Sequence, residues 1–343
     1  MPVTAPHSRS PRPSSGRVSM AMVASRAGVS GQTVSRVVND SPRVDPDTRA
    51  RVEQAMSELG YRPHRAARAL RTGRSQTIGL VVTTLATVGN SRMLQATAEA
   101  AAERGYALMV ATAADGVASA FERLAEQEVD GAIVLNEASA QVSADEHPAG
   151  LRLVMVDAPT DAGFTAVHSD HHGGAAAATA HLLELGHGTV HHLAGPADSY
   201  AAAERERGWR ETLSAAGIDA PEIVRGDWTA DAGFSAGAAL AAASAVFCAN
   251  DQMALGLLRA LAESGRRVPE DVSVIGFDDV PDAANYRPPL TTIRQDFTAL
   301  AQRTVGALVA EIEGEDAEGE DAGGAAASVV PTLLVARAST AAR

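Results

Sequence analysis

The sequence predicts an α/β protein in two parts: a small helical head, then a large body of parallel sheets gathered into two lobes. Three observations predict it. Charge is divided unevenly along the 343 residues. Short helical patterns with turn signals follow residue 17. Beyond Thr77, short apolar runs alternate with helical stretches that stop at glycine. A chain of this length exceeds what one compact core holds, so several domains are expected.

Charge carries the first functional information. The net charge of −13, taken whole, argues against a polyanionic partner. Residues 1–75, however, hold 13 arginines against five acidic residues, leaving 16 arginines against 37 acids in the remainder. A basic head on an acidic body is the layout of a nucleic-acid-binding module joined to something else. Only Arg9, Arg12 and Arg17 lie in the Ser/Pro-rich residues 1–17, which are expected to form a disordered tail.

Hydrophobic residues make up 45% of the chain, enough for sizeable cores, yet no run reaches transmembrane length. No apolar stretch opens the chain, so neither a secretory signal nor a membrane partner is expected. Cys248 is the only cysteine, which excludes an internal disulfide and fits a reducing cytoplasm.

In the head, Ala21–Ala27 reads as a short helix with Val23, Ala24 and Ala27 inward. Gly28, Val29 and Ser30 supply a turn glycine, a buried valine and a helix cap. The next helix runs from Gln32 to Asn39, with Val34, Val37 and Val38 as its inner stripe. Gln32 and Arg36 then stand four apart on the outer face, where such residues otherwise form an ordinary solvated surface. Two short helices joined by a glycine-led turn make a helix-turn-helix, whose second helix enters the major groove. Gln pairs with adenine and Arg with guanine in two-pronged fashion, so the residue types suit base readout. A third helix has Asp45 as cap, Pro46 in its first turn, Gly60 as its stop, and Val52, Ala55, Met56 and Leu59 facing the core. The arginine-rich segment Arg62–Gly73 carries one large apolar residue, Leu70, and is too short to be helical alone. Such a leucine can wedge between base steps in the minor groove, and its bland alternative is an ordinary linker leucine.

These residues resemble the DNA-binding head of the lac repressor family from Val18 to Val82, through "AGVS", "QTVSRVVN", "SPRV" and "ELGYRPHRAARALRTGRSQTIGLVV". The resemblance implies DNA contacts at Ser19, Gln32, Thr33, Ser35, Arg36 and Asn39, with Arg65 in the hinge segment and Leu70 as its wedge. Two departures stand out. Gly31 occupies a readout position where the type member has tyrosine, and Met22 replaces an aspartate usual in the first helix. The implied organisation is a helix-turn-helix domain at 18–63, a hinge helix at 64–75 and an effector-binding and dimerisation domain at 76–343.

In the body, strands are expected at Thr77–Val82, Ala107–Ala111, Gly131–Leu135, Leu153–Val156, Val190–Leu193, Ala245–Cys248 and Val272–Phe277. The intervening helices stop before Gly105, Gly186, Gly217 and Gly265. This grammar belongs to a parallel sheet covered on both faces. The number of units points to two sheets with a ligand cleft at the strand carboxyl ends.

The same resemblance continues through "HLLELGH", "LAGP", "RERGW", "ANDQMALG" and the block Val272–Phe297 with "SVIGFDD" and "PPLTTIRQDF". It implies a two-lobed core like that of periplasmic sugar-binding proteins. The first lobe would span about 76–169 and 297–327, the second about 170–293 and 328–340. Arg205, Asn250 and Asp278 match effector-contacting positions, and Asp157 and Gln252 fall at further cleft positions. Trp228 resembles the sugar-stacking tryptophan of the type member, and its bland alternative is a core aromatic. Phe297 is placed on the opposite wall, and Asn90 and Met93 on the first cleft loop. Carboxylates, amides, an arginine and an aromatic face are what sugar hydroxyls and C–H groups require.

Glu311–Gly324 reads as an acidic solvated loop and "VVPTLLVARAST" as one closing strand, with no leucine heptads after it. A homodimer on a palindromic double-stranded operator is therefore expected.

The implied function is a transcriptional repressor governed by a small molecule, with a saccharide such as a galactoside as inducer. A purine-responsive regulator of the same fold and a sugar receptor without DNA function are the alternatives. An enzyme is disfavoured. Gly233–Gly237 spells G-x-S-x-G, but Ser235 sits in an alanine-rich helical pattern with no strand before it. No cofactor is expected, and the chain contains no lysine and so no P-loop pattern. The clusters His168, His171, His172 and His187, His191, His192 lack metal-ligand spacing, and the second, which spans a turn and a strand, is expected at the surface or at strand ends.

Overall fold

The computed structural model describes residues 18–38, 41–61, 73–142, 150–159, 163–314 and 328–343, which fall into two compact units, 1–73 and 74–343.

The first unit is built from three helices, α1 (Met20–Ala27), α2 (Gly31–Val38) and α3 (Pro46–Leu59). Gly28 ends α1 in the left-handed region at φ 65°, which lets the chain reverse into α2 within three residues. Asp45 caps α3 by accepting from the Thr48 amide at 3.0 Å, and Pro46 opens its first turn. Val23, Val34, Val37, Val52, Ala55 and Tyr61 form the core, with Val29, Val38, Met56 and Leu59 partly buried against it. Arg26 on α1 donates its Nε–H to Glu58 of α3 at 2.8 Å.

The second unit holds two six-stranded sheets of the same design. In the first, β1 (Thr77–Val82), β2 (Ala107–Thr112), β3 (Gly131–Leu135), β4 (Arg152–Val156), β5 (Thr165–Ser169) and β11 (Ser328–Val330) lie in the order β11-β5-β4-β3-β1-β2, all parallel. In the second, β6 (His191–Ala194), β7 (Val224–Arg225), β8 (Ala245–Cys248), β9 (Ser273–Asp278), β10 (Thr291–Arg294) and β12 (Leu333–Val335) lie in the order β12-β10-β9-β8-β6-β7. Only the β10–β12 pair is antiparallel.

Helices cover both faces of each sheet, which explains the continuous apolar strands. On the first sheet, α4 (Val88–Glu103) and α10 (Phe297–Glu313) pack on one face and α5 (Val117–Glu126) on the other. On the second, α6 (His171–Glu184) and α7 (Tyr200–Ala215) pack on one face. The other face carries α8 (Ala230–Ser235) and α9 (Asp251–Glu263). The chain passes between the lobes after β5, after β10 and between β11 and β12.

The structure corrects several boundaries. Four strands absent from the sequence reading are present: β5, β7, β10 and the separate β11. β7 is two residues long, and β5 and β10 carry polar residues within their apolar run, so none shows a clear pattern. The last apolar run is two strands, because Pro331 and Thr332 interrupt it. Its first half pairs with β5 in the first lobe, so residues 328–330 do not belong to the second lobe. α10 continues through Glu313 to its cap Gly314, so the acidic run begins inside a helix. Its remainder, the 1–17 tail and most of the hinge segment lie outside the described residues. Among the described residues no helix is long and apolar enough to cross a membrane.

Candidate functional site

In the first unit, Ser30 starts α2: its Oγ accepts from the Thr33 amide at 3.1 Å and lies 3.0 Å from the Thr33 hydroxyl. Gln32 and Arg36 are exposed on the outward face, while Thr33 and Ser35 are half-buried beside them. Ser19 caps α1, accepting from the Met22 amide at 3.4 Å. Neither α1 nor α2 has an acidic residue in its first turn, so their amino ends keep the partial positive charge that attracts phosphates. Met22, at 47% exposure, adds apolar surface where the family usually carries an acid. Asn39, Arg65 and Leu70 lie outside the described residues.

In the second unit a cavity opens between the two lobes at the carboxyl ends of the strands. Asn90, Met93, Asp157, Arg205, Trp228, Asn250, Asp278 and Phe297 all line it, although they are drawn from across some 200 residues of chain. Four lining residues, Asn136, Asp157, Trp228 and Asp278, sit at positive φ (47°, 52°, 73° and 117°). Non-glycine residues held there by surrounding structure concentrate at functional sites.

Arg205 is the electrostatic centre. It is 4% exposed and donates to the Ala249 carbonyl and, at 3.3–3.4 Å, to Nδ1 of His171. Its guanidinium lies 3.8 Å from the Phe277 ring centroid and 3.7 Å from Asp278. Burial lowers its pKa, opposed by Asp278, Asp157, Asp251 and Glu137, so one cation faces four acidic groups. Burial pushes the Asp157 carboxyl up. His171, 3.0 Å away, and the Ser169 amide at 3.0 Å outweigh that and hold it below the usual range. Burial raises the Asp278 carboxyl despite Arg205 and the 2.6 Å bond from Gln295. Behind them, burial and the neighbouring Asp278 push Asp251 up to about 8.

Other predicted residues serve the walls. Asn250 caps α9 by accepting from the Met253 amide at 2.9 Å and donates to the Trp228 carbonyl at 3.0 Å. Asn90 donates to the Thr84 carbonyl at 2.9 Å and accepts from Asn136 at 2.6 Å. Trp228 lies flat against Gly195, where a Cβ would come within 2.3 Å of the ring.

Gln252 is the exception: it does not line the cavity, and its Oε1 instead accepts from the Val88 amide at 3.1 Å, bridging the lobes. Sequence reasoning missed Asn136, Glu137, His171 and Gln295, all of which line the cavity. The β10 strand, had it been seen, would have placed Gln295 at a strand end. The histidines also differ from expectation. His168, His171, His187 and His192 are buried, whereas His172, paired with Glu211, and His191, at the start of β6 as expected, are half-buried. His192 stacks on Phe247 and donates its Nδ1–H to the Phe247 carbonyl at 2.9 Å, which a mid-strand position makes possible. Among the described residues no group of three or more acidic, histidine or cysteine side chains could hold a metal. Ser235 directs its hydroxyl to the Asp231 carbonyl of its own helix.

Comparison with known proteins agrees with this architecture. The family of bacterial regulatory proteins, lacI family, matches residues 19–64, and a periplasmic binding protein-like domain matches residues 179–340. The HTH-type transcriptional regulator CelR of Thermobifida fusca is 39% identical over 88% of this chain and 94% of its own. The lac repressor dimer bound to operator and the anti-inducer ONPF superposes with a TM-score of 0.80 at 34% identity, over 95% of this chain and 99% of that one. A transcriptional regulator CelR–cellobiose complex superposes with a TM-score of 0.68 at 35% identity, over 94% and 100%.

A helix-turn-helix head followed by a two-lobed binding body defines a DNA-binding regulator of transcription. The chain belongs to the lacI family of bacterial regulatory proteins.

Proposed function

We propose that this protein is an operator-binding repressor, acting as a homodimer in the cytoplasm, whose hold on DNA is set by a saccharide in the cleft. The observation that carries the reading is the composition of the cavity: Trp228 offers a flat apolar face beside Arg205, Asp157 and Asp278. Sugars present the complementary needs: hydroxyls that donate and accept in fixed directions, and C–H faces that pack on an aromatic ring. Phe297, Met93, Asn90 and Asn250 complete the walls. The cellobiose and anti-inducer complexes of the two similar regulators support the class of ligand.

On the DNA side, Gln32 and Arg36 read base edges while Ser19, Thr33 and Ser35 hold the backbone, with Asn39, Arg65 and Leu70 as further contacts. The protein acts by binding and not by catalysis. Control works as a population shift: a ligand preferring one lobe arrangement by a few kcal/mol changes the fraction of dimers competent for the operator.

The test is fluorescence anisotropy on a palindromic upstream sequence at fixed salt, with galactosides, cellobiose and other sugars added in turn. Tight binding released by one sugar is the expected result. Tight binding that no sugar disturbs would break the saccharide assignment and leave the operator assignment standing.

A further inference from the structure

A short 3-10 helix after β3, Asn136–Gln141, places Glu137 where no sequence signal pointed, and its contact crosses the cleft. Its Oε1 accepts the Trp228 indole N–H at 3.2 Å, joining the first lobe to the second. Buried indole N–H groups normally find a partner, and for Trp228 that partner is this carboxylate. The ring is otherwise set by Gly195 beneath it and by the Asn250 bond to its carbonyl. Glu137 is half-buried and lines the cavity, so the carboxylate also faces the bound ligand.

Its charge adds to an acidic set. Asp157 and Asp278 lie in the same cavity, and Arg205, the only arginine lining it among the described residues, is already engaged by Ala249, His171 and Asp278. Arg92, the next cation, donates instead to the Asp278 and Asp279 carbonyls at 3.2–3.3 Å and lies over Phe297. An anionic ligand would meet several carboxylates and no uncommitted cation.

We infer that Glu137 is a specificity-determining residue that positions Trp228 across the cleft and restricts the site to neutral saccharides, excluding sugar acids and sugar phosphates. The inference rests on the saccharide reading above. Glu137 accepts hydroxyl hydrogens from a neutral sugar, and the like charge of a carboxylate or phosphate ligand is rejected.

The experiment uses the full-length protein and isothermal titration with cellobiose and lactose, each against its aldonic acid, cellobionate or lactobionate. Tryptophan emission is recorded in parallel, with Trp228→Phe isolating the Trp228 signal from that of buried Trp209. Glu137→Gln keeps an acceptor for the indole but removes the charge. Glu137→Ala removes both. Wild type is expected to bind a neutral disaccharide and to discriminate against its acid. Glu137→Ala is expected to change Trp228 emission and to lose roughly tenfold to hundredfold in affinity for the neutral sugar, the range for a hydrogen bond to a charged group. Glu137→Gln should keep the wild-type emission while its preference over the aldonic acid narrows about tenfold or more. Unchanged emission and affinity in Glu137→Ala, with wild type binding sugar, would overturn the role of Glu137 and leave the saccharide reading intact. Failure of wild type to bind either disaccharide or any other sugar would overturn that reading and the specificity claim together.

Discussion

The head and the body solve the same problem of presenting polar chemistry in opposite ways. The head keeps its candidate contacts outside: Gln32 and Arg36 stand on the exposed face of a helix whose inner face, Val34 and Val37, makes the core. The body buries its own: Arg205, Asp157, Asn250 and Asp278 are each 3–5% exposed around the cleft. The difference teaches where energy and function coincide. In the head Gln32 and Arg36 can be changed at little structural cost, because their side chains stand exposed on the outer face of the helix. In the body each site residue also satisfies a neighbour, so function and stability are tied together.

The largest expected effect breaks the body alone. Trp209 is fully buried and donates its indole N–H to the Val190 carbonyl at 2.9 Å. Trp209→Ala should lower the stability of the body by about 4 kcal/mol, read by calorimetry, with the head transition unmoved. A matching loss in the head would show that the two units unfold as one.

The second effect concerns protons held out of the body. Burial lowers the His192 pKa from 6.5 to about 4, against a hydrogen bond to Phe247 that raises it. The unfolded chain therefore takes up the proton first. Stability present above pH 6.5 is lost as pH falls towards about 4, by about 3 kcal/mol in the limit. Asp251 runs the other way. Its carboxyl, raised to about 8, is protonated in the folded state, and that contribution is lost as pH rises from near 4 through 8. His192→Gln should flatten the slope between pH 6.5 and 4 relative to wild type in chemical denaturation, while the Asp251 contribution cancels in the difference. Parallel curves would refute the assignment.

In the head the expected effects fall on binding. Arg36→Ala should weaken operator binding by about 1–3 kcal/mol and relax preference at one base pair, with the head melting as before. A uniform loss across all sequences would make Arg36 a phosphate contact. The smallest effect is local: Ser30→Ala removes the cap of α2 and should cost about 1 kcal/mol in head stability, visible as a lower first transition.

The two halves were also unequally legible. Ser30, Asp45, Gly28 and Gly60 announced the head helices because capping and turn chemistry act within four residues, whereas the Ser19 cap of α1 came only from the structure. In the body the stop glycines Gly105, Gly186, Gly217 and Gly265 all lie at φ between 70° and 91°, as their positions promised. Long apolar strands such as Gly131–Leu135 were equally plain. The two-residue β7 and the polar-flanked β10 were not, because pairing with a long neighbour holds them and no pattern of their own does. Among cleft residues, Arg205, Asn250 and Asp278 were reached through family resemblance. Glu137 and Gln295 carried no signal, since a lone acid after a strand and a lone glutamine before a helix are common.

By itself, the sequence determined a basic three-helix head, an acidic body of two parallel sheets and the identity of most polar residues between them. Those features follow from charge, periodicity and local capping, which depend on near neighbours along the chain. Only the tertiary structure decided that Gln252 clasps the lobes while Glu137 reaches Trp228, that β11 and β12 part to opposite sheets, and that four histidines are buried. The physical reason is distance along the chain. Glu137 and Trp228 are 91 residues apart, and Val88 and Gln252 are 164 apart. What a side chain meets at such separations is set by how the sheets close on one another.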